Sequence, residues 1–363
     1  KQLCKKLNVA LSDIKAKNSP HTSIYQKELA LERNGSKSFS IANGSLDEVF
    51  KRREKWFVDG DKLTPSYPEV VTSAGYTKGA LLDVGNVLLI PLKYRLGKKA
   101  KKIKKNIDSA AKEIDELQAL SHPNLINFLH ATNNGMLDSG YVVFETLGKA
   151  YRSLSEYKEK ELNSIFRLKE KLALVDDVCE GLSYMHENGV VHGLLSSHCI
   201  MVDRNRQVKI CRVESRILAH NKAVVDSPAD ESKGWVAPEV LVLDHYTPSC
   251  DIFSIGVLLW YLLVHKQPFQ DRSTLDVNRR VVNDSARPPI TMKDIEKFRL
   301  YDKETGHSYI DLVRHCWAQK IEDRMAMDEV RKVLNAFVTI EKVKENPMYM
   351  ENPLRQVEPL ANV

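Results

Sequence analysis

The sequence predicts a mixed α+β chain, long enough for one large domain or two lobes, and three stretches predict it. From Glu69 the pattern is β: Val70 and Val71 lead to a turn at Ala74-Gly75, Ala80 to Val84 runs to a Gly85-Asn86 turn, and Val87 to Tyr94 is a strongly apolar strand. Residues 168–186 carry Leu172, Leu174, Val175, Val178, Leu182 and Met185 at helical spacing, which predicts a long amphipathic helix. The apolar run Cys199-Ile-Met-Val202, the polar turn Asp203 to Gln207 and the run Val208-Lys-Ile-Cys211 predict a β-hairpin.

At 363 residues and 43% apolar, the chain can bury a sizeable core. The net charge of +6 is mild and mostly local, because Lys98, Lys99, Lys101, Lys102, Lys104 and Lys105 form one block. Such a block reads as a solvated face. The sharper reading is a site for an acidic partner or an anionic membrane surface at Lys98–Lys105. No aromatic residues are interleaved with these lysines, so nucleic acid is not expected. The six cysteines contain no Cys-x-x-Cys pair, which argues against a zinc site. Cys179, Cys199, Cys211, Cys250 and Cys316 lie in or beside apolar runs and read as reduced core residues, as suits a cytosolic compartment. Cys4 sits among lysines, a setting for lipidation if a membrane is near. There is no signal peptide and no uninterrupted apolar span of membrane length. The chain opens on lysine, which leaves room for a membrane span before Lys1.

Taken in order, residues 1–44 are polar and aperiodic and read as a linker or flexible arm. A short helix is expected near 45–57, where Ser45 and Glu48 have capping-box spacing and Leu46, Val49 and Phe50 share a face. Residues 1–68 together form an N-terminal polar extension. Gly75, Gly79 and Gly85 do not make Gly-x-Gly-x-x-Gly and read as hairpin turns, not as a phosphate cradle. A helix over 107–120 carries Glu113, and Tyr141 to Gly148 follows as another strand. The polar, Pro-rich residues 341–363 form a flexible tail.

The stretch from Val190 to Glu214 resembles the catalytic loop and metal-binding turn of a protein kinase. A working kinase has His-Arg-Asp-Leu, Asn four residues after the Leu, then Asp-Phe-Gly. Here His192 and Leu195 are kept, while Gly193 stands at the arginine and Leu194 at the catalytic aspartate. Cys199 stands at the metal-binding asparagine, and Arg212, Val213 and Glu214 replace Asp-Phe-Gly. Lys233-Gly-Trp-Val-Ala-Pro-Glu-Val240 resembles the end of an activation segment, and Asp251 to Leu263 resembles the F-helix. Arg287-Pro-Pro-Ile290, Leu312 to Trp317 and Asp323-Arg324 continue the likeness. The Cys316-Trp317 pair, Trp235 and Trp260 place it near tyrosine and tyrosine-kinase-like kinases. His192-Gly193 is similar to the loop start of receptor guanylyl cyclase kinase-homology domains.

The resemblance implies a two-lobed protein-kinase-like fold over 69–340: a small β-rich N-lobe with a C-helix (69–147) and a large helical C-lobe (148–340). It implies that Lys93 and Glu113 pair, that Phe144 is the gatekeeper with Glu145 at the hinge, and that Glu239 and Arg324 form a buried pair. It further implies that Asp251 holds the catalytic-loop backbone and that His192 packs under it. Kinase catalysis is positioning plus electrostatics. Leu194 has no proton acceptor, and Cys199 and Arg212 are not the hard oxygen ligands magnesium takes. The expected function is therefore a catalytically inactive cytoplasmic signalling scaffold or allosteric regulator. It would hold no metal and take no magnesium-dependent ATP, with weak metal-free nucleotide binding at most. Its partners would be signalling proteins, among them a kinase or receptor. Two alternatives stand beside this: the regulatory kinase-homology domain of a membrane receptor enzyme such as a guanylyl cyclase, and a residual atypical phosphotransferase. Arg212 is expected to capture Glu113 with its planar fork and displace Lys93. Asn346-Pro-Met-Tyr349 resembles the tyrosine motif read by phosphotyrosine-binding domains.

Overall fold

The computed structural model describes residues 57–58, 62–66, 76–93, 114–133, 139–147, 151–212, 232–243, 245–291, 294 and 303–344. The expected lysine block 98–105, Glu113, Val213, Glu214 and Tyr349 lie outside the described residues, as does the expected helix up to residue 56. Phe57, the last residue of that stretch, is described and belongs to a strand instead.

The architecture is mixed α+β, with a β-sheet N-terminal region and a helical C-terminal region. The first sheet has six strands: β1 (Phe57–Val58), β2 (Leu63–Pro65), β3 (Thr77–Leu81), β4 (Gly85–Lys93), β5 (Phe128–Asn133) and β6 (Ser139–Glu145). Their order is β1-β5-β6-β4-β3-β2, with β1 parallel to β5 and the other neighbours antiparallel. The run Val87-Leu-Leu-Ile90 does not alternate because β4 is central and covered on both faces. Val87 and Leu89 pack with Leu63, Leu81 and Val143 on one face. Leu88 and Ile90 belong to the main core on the other, with Tyr76, Phe144 and Ile114. The last of these begins the described part of helix α1 (residues 114–119), where Ile114 and Leu117 are buried.

The β3–β4 turn departs from the sequence reading. It is made by residues 82–84, and Gly85-Asn86 already belongs to the return strand. Asp83 takes the left-handed conformation (φ 68°), which a short acidic side chain tolerates, and Gly85 follows at φ 94°. Leu82 and Val84, counted as strand by their apolarity, therefore stand exposed at the turn tip.

A second sheet joins β7 (Arg152–Ser153), β8 (Ile200–Val202) and β9 (Val208–Ile210) in that order. Asp203 closes the β8–β9 turn, its Oδ1 accepting from Gln207 N at 2.8 Å. Around this sheet lie α2 (Glu159–Ile165), α3 (Leu168–Glu187), α4 (Pro238–Leu243), α5 (Pro248–Val264), α6 (Thr274–Asn283), α7 (Lys303–Cys316) and α8 (Met327–Lys344). Helix α5 is apolar all round, and every residue from Cys250 to Val264 is buried, as such a helix requires. Pro248 starts it at a position that needs no amide donor, and His265 ends it in the left-handed conformation (φ 58°).

Two of the joints that tie the sheets together are made by β9. Ile126 N donates to Ile210 O (2.9 Å) and Ile210 N to Asn124 O (2.7 Å). Lys209 Nζ donates to Glu145 Oε1 (2.8 Å) and to Leu125 O (3.0 Å).

On the far side of α5, Glu239 and Arg324 meet in a buried two-pronged contact. Nη1 donates to Oε1 at 2.7 Å and Nη2 to Oε2 at 2.8 Å. Arg324 also donates to Ser249 O and Ala318 O, and its guanidinium lies over the Phe253 ring at 5.2 Å. Removing one partner strands the other charge in the interior, which costs about 3–5 kcal/mol. Arg324→Ala is therefore expected to lower the thermal midpoint by many degrees, measured by calorimetry. A midpoint within a degree of the parent would refute that weight for the pair.

Candidate active site

The site is built on the loop 188–199 between α3 and β8. Nothing in the loop's own sequence forms a helix or strand there, so its shape must be imposed from outside. Asp251 on α5 imposes it. This carboxylate is fully buried, and Oδ1 accepts from Gly193 N (2.7 Å) while Oδ2 accepts from His192 N (3.0 Å) and lies 2.8 Å from His186 Nε2. Burial alone would raise its pKa; the His186 contact and the Gly193 amide hold it below the usual carboxylate range.

His192 is also fully buried. Its Nε2 donates to Cys211 O (2.9 Å) and its Nδ1 accepts from Leu194 N (3.3 Å), so the ring is the neutral Nε2–H tautomer. Burial pushes its pKa down, against the opposing pull of Asp251. The imidazole thus ties the loop to the strand end after β9.

Gly193 sits at φ 75°, and a Cβ there would lie 2.4 Å from Cδ1 of Tyr246. Only glycine fits, for both reasons. Leu194 is partly buried and packs against the core. Cys199 is buried, its thiol 3.6 Å from both Leu194 O and Ser196 Oγ. Arg212 is buried just beyond β9 in the left-handed conformation (φ 63°), and its backbone N donates to Tyr76 Oη at 2.7 Å.

Phe144 is fully buried on β6, edge-on to both Tyr76 (centroids 5.5 Å apart) and Phe128 (6.1 Å). Glu145, the next residue, accepts from Lys209 Nζ, from Asn127 N (3.0 Å) and from Asn127 Nδ2 (3.1 Å). Lys93 ends β4 opposite Ser139. Glu113 and the Lys93 side chain are outside the described residues, and with them the expected pairing of Lys93, Glu113 and Arg212. The structure brings together His192, Asp251, Leu194, Cys199 and Arg212 around the loop, Phe144 and Glu145 at the strand end, and Glu239 with Arg324 apart from both.

Four residues of the arrangement were not picked out from the sequence as site residues. Tyr76 lies between two of the glycines read as hairpin turns, Gly75 and Gly79, and carries no motif of its own. His186 was read as the last residue of a helix, Lys209 as a hairpin strand residue, and Tyr246 carried no motif. The position of His186 one turn before the loop was the available signal.

A family model described as the protein kinase domain matches residues 90–334. The probable serine/threonine-protein kinase drkC of Dictyostelium discoideum is 27% identical over 235 residues, covering 63% of this chain and 29% of that protein. The serine/threonine-protein kinase STY17 of Arabidopsis thaliana is 25% identical over 228 residues, covering 63% and 37%. A putative serine/threonine-protein kinase/receptor of Acanthamoeba polyphaga mimivirus is 27% identical over 230 residues, covering 60% and 13%. The chain spans well under half the length of these relatives.

These findings correct three expectations: that the chain is catalytically inactive, that it is not an enzyme, and that it takes no magnesium-dependent ATP. The relatives are named as serine/threonine-protein kinases, a class of enzyme that works on Mg-ATP. The inference to inactivity equated three altered side chains with lost catalysis. Phosphoryl transfer rests largely on positioning, and the frame that positions the loop is intact.

The buried imidazole makes stability depend on pH. Unfolded histidine takes a proton near pH 6.5. Folded His192 resists it, so the unfolded state binds the extra proton as pH falls below about 6.5 and stability declines there, by up to about 1.4 kcal/mol per pH unit. Asp251, with its depressed pKa, contributes in a separate window below about pH 4. His192→Gln should flatten the dependence of the urea midpoint between pH 6.5 and 5. An unaltered slope would remove His192 as its source.

Proposed function

The chain belongs to the protein kinase domain family, and on that footing we propose that it is a phosphotransferase of the serine/threonine kinase type, moving phosphate from ATP to protein hydroxyls. The observation that carries the reading is the capture of His192 N and Gly193 N by the buried Asp251 carboxylate, with His192 binding the strand end after β9. That arrangement fixes the loop backbone against the second sheet without using any reactive side chain. Holding reactants in one geometry supplies the larger part of a phosphoryl transfer.

The chain's own residues set limits on the chemistry. Leu194 has no lone pair to accept the attacking hydroxyl's proton, so that proton leaves by another route. The loss of a positioned base lowers the rate by about 10²–10⁴. Magnesium, implied by the family, takes oxygen ligands. The described residues at the two metal positions offer a buried thiol and a guanidinium, and among the described residues no three His, Cys, Asp or Glu side chains converge. These residues do not fit the ion. Its ligands would come from the nucleotide's phosphates or from outside the described residues.

The serine/threonine assignment, in preference to the tyrosine-kinase-like one, follows the names of the relatives. A cytoplasmic setting, free or on the cytosolic side of a receptor, is supported by the free buried cysteines Cys179, Cys199, Cys211, Cys250 and Cys316 and by the relative named as a kinase/receptor. Among the described residues no helix is long and apolar enough to cross a membrane. Partners would be signalling proteins presented as substrates, with an acidic protein or an anionic membrane at Lys98–Lys105.

The test is transfer of γ-labelled phosphate from ATP to a panel of serine- and threonine-bearing proteins, with and without magnesium. Transfer is expected at a rate about 10²–10⁴ below the 1–100 s⁻¹ usual for kinases, lost in Asp251→Ala. Absence of label above the no-enzyme control defeats the reading.

A further inference from the structure

Tyr76 reaches from the first sheet to the second. It stands immediately before β3, yet its side chain is 0% exposed. The ring edge meets the Phe144 ring at 71°, and the hydroxyl accepts from Arg212 N, a residue 136 positions away in sequence. The ring therefore fills the space between the inward face of β6 and the strand end after β9. A phenylalanine would pack the same ring. What the hydroxyl adds is a hydrogen bond between layers, made to a residue held in the left-handed conformation (φ 63°).

A flat heteroaromatic ligand entering between the sheets would meet the same Phe144 ring, through the stacking or edge contact that aromatic groups favour. The ring of Tyr76 and such a ligand cannot share it. We propose that Tyr76 is a displaceable latch on the cleft: closed, it bonds Arg212 N and occupies the ligand's place; open, it admits an adenine nucleotide and releases that amide. The ligand class rests on the kinase reading; the latch itself rests on the contacts of Tyr76. A competent form populated at about 1–10% would weaken apparent affinity about 10- to 100-fold, since affinity scales with that fraction.

The experiment is calorimetric titration of ADP and of adenosine into the wild-type chain, Tyr76→Phe and Tyr76→Ala, with and without magnesium. Tyr76→Phe, which keeps the ring and loses the bond, is expected to bind about 2- to 10-fold more tightly. Tyr76→Ala is expected to bind about 10- to 100-fold more tightly. In the wild-type chain, hydrogen exchange at the Arg212 amide should speed up at saturating ADP, a readout that needs no variant and stands if Tyr76→Ala fails to fold. Equal or weaker binding by a folded Tyr76→Phe, no binding to any form, or an Arg212 amide indifferent to ADP would each overturn the latch. Tighter ADP binding without phosphate transfer keeps the latch and defeats the kinase reading; transfer without tighter binding does the reverse.

Discussion

The buried carboxylate of Asp251 is the constraint on which the rest of the site depends. An ionised group taken out of water is costly unless donors replace the lost hydration. Asp251 lies in α5, the most apolar helix among the described residues, and meets two backbone amides of the loop and the His186 ring. Because those amides belong to His192 and Gly193, satisfying the carboxylate and shaping the loop are one requirement. The loop then passes the constraint on. His192 bonds the carbonyl of Cys211, Lys209 two residues before it bonds Glu145, and Glu145 ends β6. A continuous series of polar contacts thus runs from the helical core to the first sheet.

Two of the buried acids are handled differently. Glu239 faces a guanidinium that matches both its oxygens, a charge pair of fixed geometry. Asp251 faces mostly neutral donors, and its charge is spread over backbone. The first arrangement needs its partner side chain. The second relies on the His186 ring and on two amide groups, which every residue but proline supplies. This explains how the loop tolerates Leu194: its path is specified by Asp251 and His192, so the side chain at 194 is left open. Glycine at 193 has its own cause in the Tyr246 ring, which occupies the place of a Cβ.

Much of this was legible in the sequence where the cause is local. The β8–β9 hairpin and α3 follow from the pattern of apolar residues, and α5 from the F-helix resemblance of Asp251 to Leu263. Glu239, Asp251 and Arg324 stand inside runs whose order and spacing carry the kinase resemblance. The β3–β4 turn was misplaced because Gly85-Asn86 is a good turn dipeptide, while Asp83 adopting φ 68° one step earlier is decided by strand register. The Tyr76–Arg212 and Lys209–Glu145 contacts were not legible, since they join residues far apart in sequence through groups with no motif. Catalytic competence was misjudged for a different reason: motif residues report which side chains are present, not how much of a rate comes from backbone geometry.

The contacts between the sheets are of two kinds, and the difference decides where the cleft can change shape. Lys209, Asn127 and Glu145 form a network in which both carboxylate oxygens are used and the lysine also holds a carbonyl. The backbone bonds of Ile126 and Ile210 lie beside it. Opening the sheets there would break several bonds together. At the β3 end Tyr76 joins the layers by a neutral hydrogen bond to Arg212 N and an aromatic edge contact to Phe144. A single neutral bond contributes about 0.5–1.5 kcal/mol net, well below the cost of opening a charged, multiply bonded network. Separating the layers at Tyr76 works against neutral contacts, whereas separating them at Glu145 works against a charged, multiply bonded network.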